Sequence, residues 1–478
     1  MLVNKGFRFR IYPQEPQRMM FAAWFGCDRF VGNLAIDQRR TFSRKGRNIT
    51  YAMQAAELPA LRAEFPWLAE CPNQVLQQSL RAVDRAFVNF FEGRGAYPRK
   101  RKKFERDSVR FPALEQRQRL KKNGEVVLDE QGEQVWQTHS IIELGEDWID
   151  LPKMGRVRWV RHRAIEGSPL NVTISRQGGM YFASVCCEVE VDVADAPKPT
   201  LEAEAYDYGL RQDYTTSDGT VFDVPGETSG ETRRRCNLEN QIARRVAARV
   251  VAEKEAGCRL PQSRRELKVR AELRALDARL ARRAHDALHK YTTGLVRKAA
   301  VIGFEDLDIK AMTASSKGTV AQPGRNIAQK SGLNRGLLHG RPGMARMQVE
   351  YKTRWMGRRA VAVPPAFTSQ YCSTCAAHPK DDTTTAHLPH GRVGAVFTCP
   401  LCGFTCDADQ NAAGNIRREA VRIAALPEHA RPATRRERAR AGREMKRTTA
   451  GGHPVALRGA HAKEQAMNRG VQGLSKAA

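Results

Sequence analysis

Residues 299–305 read Ala299-Ala300-Val301-Ile302-Gly303-Phe304-Glu305. This short apolar run is long enough for one buried strand, too short for a helix, and closed by a carboxylate. The form recurs at Arg359 to Val363, which stops at Pro364-Pro365. Upstream, Ala205 to Thr216 and Gly219 to Asp223 flank the hairpin turn signal Asp218-Gly219. Between hairpin and strand, Arg233 to Lys298 gives two long, charge-rich helical patterns separated near Gly257 to Ser263. Hairpin, helices, strand, helices, strand is the order of an α/β domain built on a mixed sheet.

Asp195-Ala196-Pro197-Lys198-Pro199 marks the start of that domain, because two close prolines break both helix and strand. Before it, Phe7 to Ile11 alternates apolar and basic residues, which predicts a strand with one cationic face. Helical spacing follows from Gln17 to about Phe42 and again from Gln74 to Phe91, where Val75, Leu76, Leu80, Val83, Phe87 and Phe90 or Phe91 form a core-facing stripe. Short alternating runs from about Phe111 to Val193, with a hairpin at Gln177-Gly178-Gly179, predict a small antiparallel barrel or sheet completed by the first strand. The N-terminal helices are then an insertion into it.

With 80 Lys and Arg against 52 Asp and Glu, the 478-residue chain carries a formal charge of +28. Such a surplus excludes an ordinary metabolic enzyme as the first reading and favours a polyanion partner, nucleic acid ahead of a membrane surface. No stretch reaches the 18 or so apolar residues of a membrane span, and MLVNKGFRFRIYPQ lacks a secretory core, so a cytoplasmic location is expected. Basic residues concentrate at Gly95 to Arg106, where Tyr97 and Phe104 are interleaved with Arg99, Lys100, Arg101, Lys102 and Lys103. A solvated linker and a nucleic-acid contact with base stacking are both open readings of that run. From Pro427 to Ala478, twelve Lys or Arg stand against four Glu with no hydrophobic period, which predicts a disordered basic tail.

Two C-x2-C knuckles, Cys372 with Cys375 and Cys399 with Cys402, lie 23 residues apart and fit the four-thiolate set of a structural Zn²⁺. Cys406, His378, His387 and His390 are bystanders beside four available cysteines, and the other six cysteines are expected to be reduced thiols. Three acids stand out by position: Asp207 in the first strand, Glu305 ending the second, and Asp409 opening a helix, although Asp407 is as good a helix cap. A carboxylate at the end of a buried strand is costly unless paired or metal-bound. Together the three predict two Mg²⁺ clamping a phosphodiester for in-line hydrolysis, a nuclease.

The series YDYGL at 206–210, GFEDL at 303–307, TSQYCSTC at 368–375, CPLCG at 399–403 and DADQNAAGNI at 407–416 resembles the TnpB family of transposon-encoded RNA-guided DNA endonucleases, relatives of type V CRISPR effectors. The resemblance extends to FRFRIYPQEPQ and AYPRKRKKFERDSVRF and covers about residues 1–425. It implies a multidomain α+β protein: a wedge-like β-barrel (1–15 and 111–195) interrupted by a helical recognition insert (16–110), then an RNase H-like (RuvC) α/β nuclease domain (200–365 and 404–425) with a zinc ribbon (366–403). It further implies a guide RNA from the transposon end, target double-stranded DNA, no membrane, and catalysis by Asp207, Glu305 and Asp409. Ala408 stands where the family usually has arginine, Tyr206 where it has an aliphatic residue and Ala376 where it has glycine. The alternative is a cleavage-inactive RNA-guided repressor on the same scaffold, but such a protein should lack one or more acids. Nothing in the chain sets the oligomeric state, for which a monomer is the simplest expectation.

Overall fold

Alternation decides the first lobe. In the strand Leu2–Tyr12, Phe7, Phe9 and Ile11 are buried while Arg8 and Arg10 take the opposite face. The computed structural model describes the chain except residues 45, 106, 113–114, 120, 123–124, 129–131, 133, 135, 141, 194–195, 320–321, 376–391, 400, 436, 439–440 and 442–478. Leu2–Tyr12 sits inside a seven-stranded antiparallel sheet in the order Asp107–Phe111, Ser168–Gln177, Met180–Glu190, Leu2–Tyr12, Gly155–Val160, Trp148–Leu151, Glu143–Leu144. Gly178 and Gly179 both have positive φ (55° and 82°), the backbone a two-residue hairpin turn needs to match strand twist.

Among the described residues this sheet is open rather than a closed barrel: its end strands pair on one side only, and the last is two residues long, too short a ladder for closure. The helices Glu15–Ser43 and Asn73–Phe91 pack on it through Phe21, Trp24, Phe25 and Val31 from one, and Val75, Leu76, Leu80, Val83 and Phe87 from the other. The predicted stripe stops at Phe87; Phe91 is 57% exposed because it lies in the last, fraying turn.

The second lobe carries a mixed sheet in the order Val221–Phe222, Tyr214–Thr216, Leu201–Asp207, Ala299–Glu305, Arg359–Val363. The last three strands are parallel; Tyr214–Thr216 runs antiparallel to Leu201–Asp207, and Val221–Phe222 antiparallel to Tyr214–Thr216. One face is covered by Arg264–Lys298 and Pro342–Trp355, whose Leu288, Val296, Ala345 and Val349 join Tyr206, Ile302 and Phe304. The other face is covered by Ala408–Ala425, whose Ile416, Ala420 and Ile423 meet Ala205, Val361 and Val363. Gly303 permits that contact: a Cβ there would stand 2.8 Å from the Ala420 Cβ and 3.2 Å from the Ile416 carbonyl oxygen. Ser229–Ala256 leans on Arg264–Lys298, joined through a loop that includes Gly257.

Lys352, 5% exposed, donates from Nζ to the His289 carbonyl (2.8 Å) and to the Thr292 and Thr293 hydroxyls (2.7 and 2.8 Å). Burial lowers its pKa to about 8. Below pH 8 both folded and unfolded chains hold this proton; between about 8 and the usual lysine range only the unfolded chain does, so stability rises with pH in that window. Melting temperatures of wild type and Lys352→Met across pH 7–11 test this: the wild type should gain on the variant above pH 8, and parallel curves would refute it.

No helix of the described residues is long and apolar enough to cross a membrane. The predicted tail does not leave the lobe at Pro427. Arg431 Nε donates to the Leu426 carbonyl, and Arg435 binds Asp306 through its backbone N–H and Asp308 through its guanidinium (3.1 Å). The expectation for the rest of the tail concerns residues 442–478, outside the described residues.

Candidate active site and metal centre

Parallel pairing sets Tyr206 beside Phe304, so the next residues, Asp207 and Glu305, end neighbouring strands at the same sheet edge. Carboxyl ends of parallel strands are where α/β sheets open a crevice. Asp409 arrives from the helix Ala408–Ala425 packed across that face and is 8% exposed. The structure separates the two late acids: Asp407 is the helix cap, its Oδ1 accepting from the Asp409 backbone N–H at 2.9 Å, which leaves the Asp409 carboxylate for other partners.

Burial, then the negative charges of Glu305 and Asp409, push Asp207 up to about 8. Burial also raises Glu305, opposed by the Thr368 hydroxyl, which donates to Glu305 Oε1 at 2.5 Å. Arg392 Nη2 lies 3.3 Å from Asp409 Oδ1, and Arg211, paired with Asp407, lies 3.7 Å from Asp409 Oδ2. The turn after Asp207 runs close over this acid, since a Cβ on Gly209 would be 3.6 Å from Asp409 Oδ2. The three predicted acids therefore share one crevice with Asp207 electrostatically coupled to both others. They do not form a single-ion cage: among the described residues only the cysteine group brings its ligand atoms within 4.8 Å of one another.

That group is Cys372, Cys375, Cys399 and Cys402. Sulfur separations are 3.7 Å (Cys372 to Cys402), 3.5 Å (Cys375 to Cys399) and 3.2 Å (Cys375 to Cys402). A tetrahedral ion with ~2.3 Å metal–sulfur bonds has edges of roughly 3.8 Å, so the cluster fits one metal with modest adjustment. Gly403, φ 70°, closes the second knuckle by donating to the Cys399 carbonyl at 3.0 Å. Cys406 turns its sulfur to the Asp407 carbonyl and stays outside the cluster, as expected. His378, His387, His390 and Ala376 lie outside the described residues.

Sequence reasoning missed the residues that tie centre to crevice. Asn411 accepts from the Ser373 N–H (2.8 Å) and donates to the Tyr371 carbonyl (2.6 Å). Asn415 donates to the Thr368 and Tyr371 carbonyls (2.9 and 2.6 Å), and Arg418 to those of Cys375 and Cys372 (2.5 and 2.7 Å). Their spacing, 411, 415 and 418, was the available signal: three polar residues on one face of a helix whose other face is core.

The basic segment is anchored rather than a free linker. Tyr97 packs edge-on against Phe87 and Phe90 (5.6 and 5.2 Å), although it is 42% exposed. Lys100 pairs with Asp37 at 2.5 Å. Arg101 pairs with buried Asp28 and exchanges hydrogen bonds with the Asn33 side chain (2.7 and 3.1 Å). Arg99, Lys102 and Lys103 remain exposed, so the cationic face is narrower than six residues.

Comparison with known proteins follows the same division. Residues 343–416 match the family described as "Cas12f1-like, TNB domain", and residues 1–46 match one described as "Helix-turn-helix domain". Here the latter stretch is one strand followed by one long helix. Over 415 residues the chain is 31% identical to the "Putative RNA-guided DNA endonuclease InsQ" of Escherichia coli (strain K12), covering 86% of this chain and 91% of that protein. Over 460 residues it is 30% identical to the "Putative RNA-guided DNA endonuclease" of Streptomyces pristinaespiralis, covering 94% and 98%. Among solved structures, a Cas12f1–sgRNA–target DNA complex superposes with a TM-score of 0.41 at 11% identity, covering 87% of this chain and 98% of that one.

Proposed function

Because this chain belongs to the TnpB family of RNA-guided DNA endonucleases, we propose that it cuts double-stranded DNA at sites chosen by a bound guide RNA, in a RuvC-like site made of Asp207, Glu305 and Asp409. The observation that carries the reading is the meeting of these acids at one strand edge, with Asp207 repelled by both others. A hard-oxygen donor set of this kind suits Mg²⁺, and soft thiolates at Cys372, Cys375, Cys399 and Cys402 suit Zn²⁺. When bound, two Mg²⁺ ions supply Lewis acidity at the attacking and leaving oxygens of the phosphodiester. The protein's part is positional. Asp207 offers a carboxylate coupled to the other two, Thr368 fixes the Glu305 carboxylate, and the Asp407 cap fixes the helix end that presents Asp409.

On this reading the first lobe is the wedge-like domain with its recognition insert, the second is the nuclease domain, and residues 366–403 are its zinc ribbon. The guide comes from the end of the transposon that encodes the protein. Base pairing then reads the target while protein reads a short adjacent motif. The inactive-repressor alternative is not favoured, since all three acids are present and converge. RNA copurifying with the protein should be sequenced and the complex tested on matched duplex DNA in Mg²⁺. Expected are a single transposon-end RNA species and cutting that ribonuclease pretreatment abolishes; cutting indifferent to ribonuclease would overturn RNA guidance.

A further inference from the structure

Both oxygens of Asp409 face a cation: Oδ1 lies 3.3 Å from Arg392 Nη2, and Oδ2 lies 3.7 Å from Arg211 Nη2. The two guanidiniums reach it from different elements. Arg211 sits in the turn after Asp207, so tight that a Cβ on Gly209 would stand 2.9 Å from the Gln212 carbonyl oxygen, and it is anchored by its pair with Asp407. Arg392 opens the short strand Arg392–Val393, beside the second cysteine knuckle, and its Nε donates to the Gly394 carbonyl at 3.3 Å. The strand that follows the Gly394 turn, Val396–Thr398, pairs with Thr405–Asp407 and buries Phe397 among Cys372, Cys399 and Ala408. The Ala408 N–H donates to the Ala395 carbonyl at 2.8 Å, which joins this hairpin to the helix carrying Asp409 at its first residue.

Exposure divides the partners. The Asp409 side chain is 11% exposed, whereas those of Arg392 and Arg211 are 38% and 50% exposed and open to solvent. Ion pairs with an exposed partner are weak, so either guanidinium can leave at low cost. A carboxylate with a cation at each oxygen nevertheless repels a further cation, and it becomes a good hard-oxygen ligand for a divalent ion once a guanidinium has swung away. A phosphodiester offers those same guanidiniums an oxyanion that fits their fork, outside the crevice wall.

We propose that Arg211 and Arg392 form a clasp on Asp409 that competes with divalent metal, and that the phosphate of an entering strand releases it by drawing the guanidiniums off. Full metal loading then waits for a bound strand, and metal and strand favour each other's binding. This rests on the two-metal nuclease reading above and adds how its metal loading is controlled. The test titrates the zinc-loaded full-length protein with Mn²⁺, reading free Mn²⁺ by electron paramagnetic resonance. Wild type, Arg392→Gln and Arg211→Gln/Arg392→Gln are compared alone and with a short DNA strand, whose own Mn²⁺ uptake is subtracted. Without the strand, the double variant should bind Mn²⁺ about three- to tenfold tighter than wild type. Arg392→Gln, which leaves the Arg211–Asp407 pair in place, should fall between them. With the strand, wild type should tighten toward the double variant, which should gain less. Equal or weaker Mn²⁺ affinity in both variants would overturn the clasp, and a wild type indifferent to the strand would overturn its release by phosphate. Mn²⁺ uptake by none of the three proteins would instead overturn the two-metal reading itself.

Discussion

Asp207→Ala should abolish cutting: cleavage of a guide-matched duplex in Mg²⁺ is expected to fall by more than about 10³-fold, ~4 kcal/mol of barrier. RNA affinity should stay at the wild-type value, because Asp207 ends a strand of the second lobe's sheet and is held there among acids rather than on an exposed basic surface. The size of the effect follows from position. Asp207 is the acid whose charge is opposed by both Glu305 and Asp409, so its loss removes the carboxylate that is coupled to both of the others. The metal-free variant should melt no lower than wild type, since removing a buried carboxylate repelled by two neighbours relieves an unfavourable charge. Intact cleavage by Asp207→Ala would displace the hydrolytic site from this crevice. Lost cleavage together with a collapsed melting temperature would show a folding defect instead, and Asp207→Asn, which keeps the shape, then separates the two.

Much of this arrangement was readable from residue patterns. Strands Ala299–Glu305 and Arg359–Val363 were legible because a strand covered by helices leaves a short apolar run, and the mixed character of the sheet was legible from the hairpin before them. The four cysteines were legible because a metal turn imposes its own spacing. What stayed hidden was anything set by tertiary approach. The choice between Asp407 and Asp409 as cap depends on which carboxylate reaches a backbone N–H, and two residues of separation cannot decide that. Arg101 resembled its neighbours in a basic run, yet burial of Asp28 on the helix Glu15–Ser43 makes it a structural partner. Sheet closure was likewise undetermined, because alternation reports which face is buried and says nothing about whether the end strands meet.

Cys375→Ser should cost the protein its zinc and most of its cutting together, and the reason lies in the straps between centre and crevice. The first knuckle is held to the helix Ala408–Ala425 by Asn411, Asn415 and Arg418, and that helix carries Asp409 two residues from its cap. The same strapping runs through the Thr368 carbonyl, whose residue hydrogen-bonds Glu305 through its hydroxyl. A knuckle freed from its metal therefore loosens two of the three acids at once, without touching either. Outer-shell losses of this kind typically cost 10–100-fold, so cutting is expected to fall below about one-tenth of wild type, with zinc content falling in parallel and RNA binding unchanged. Cys406→Ser, in the strand Thr405–Asp407 and outside the cluster, should keep both zinc and cutting. Wild-type cutting by a zinc-free Cys375→Ser protein would mean that the crevice holds its acids unaided, and the straps would then be packing rather than support.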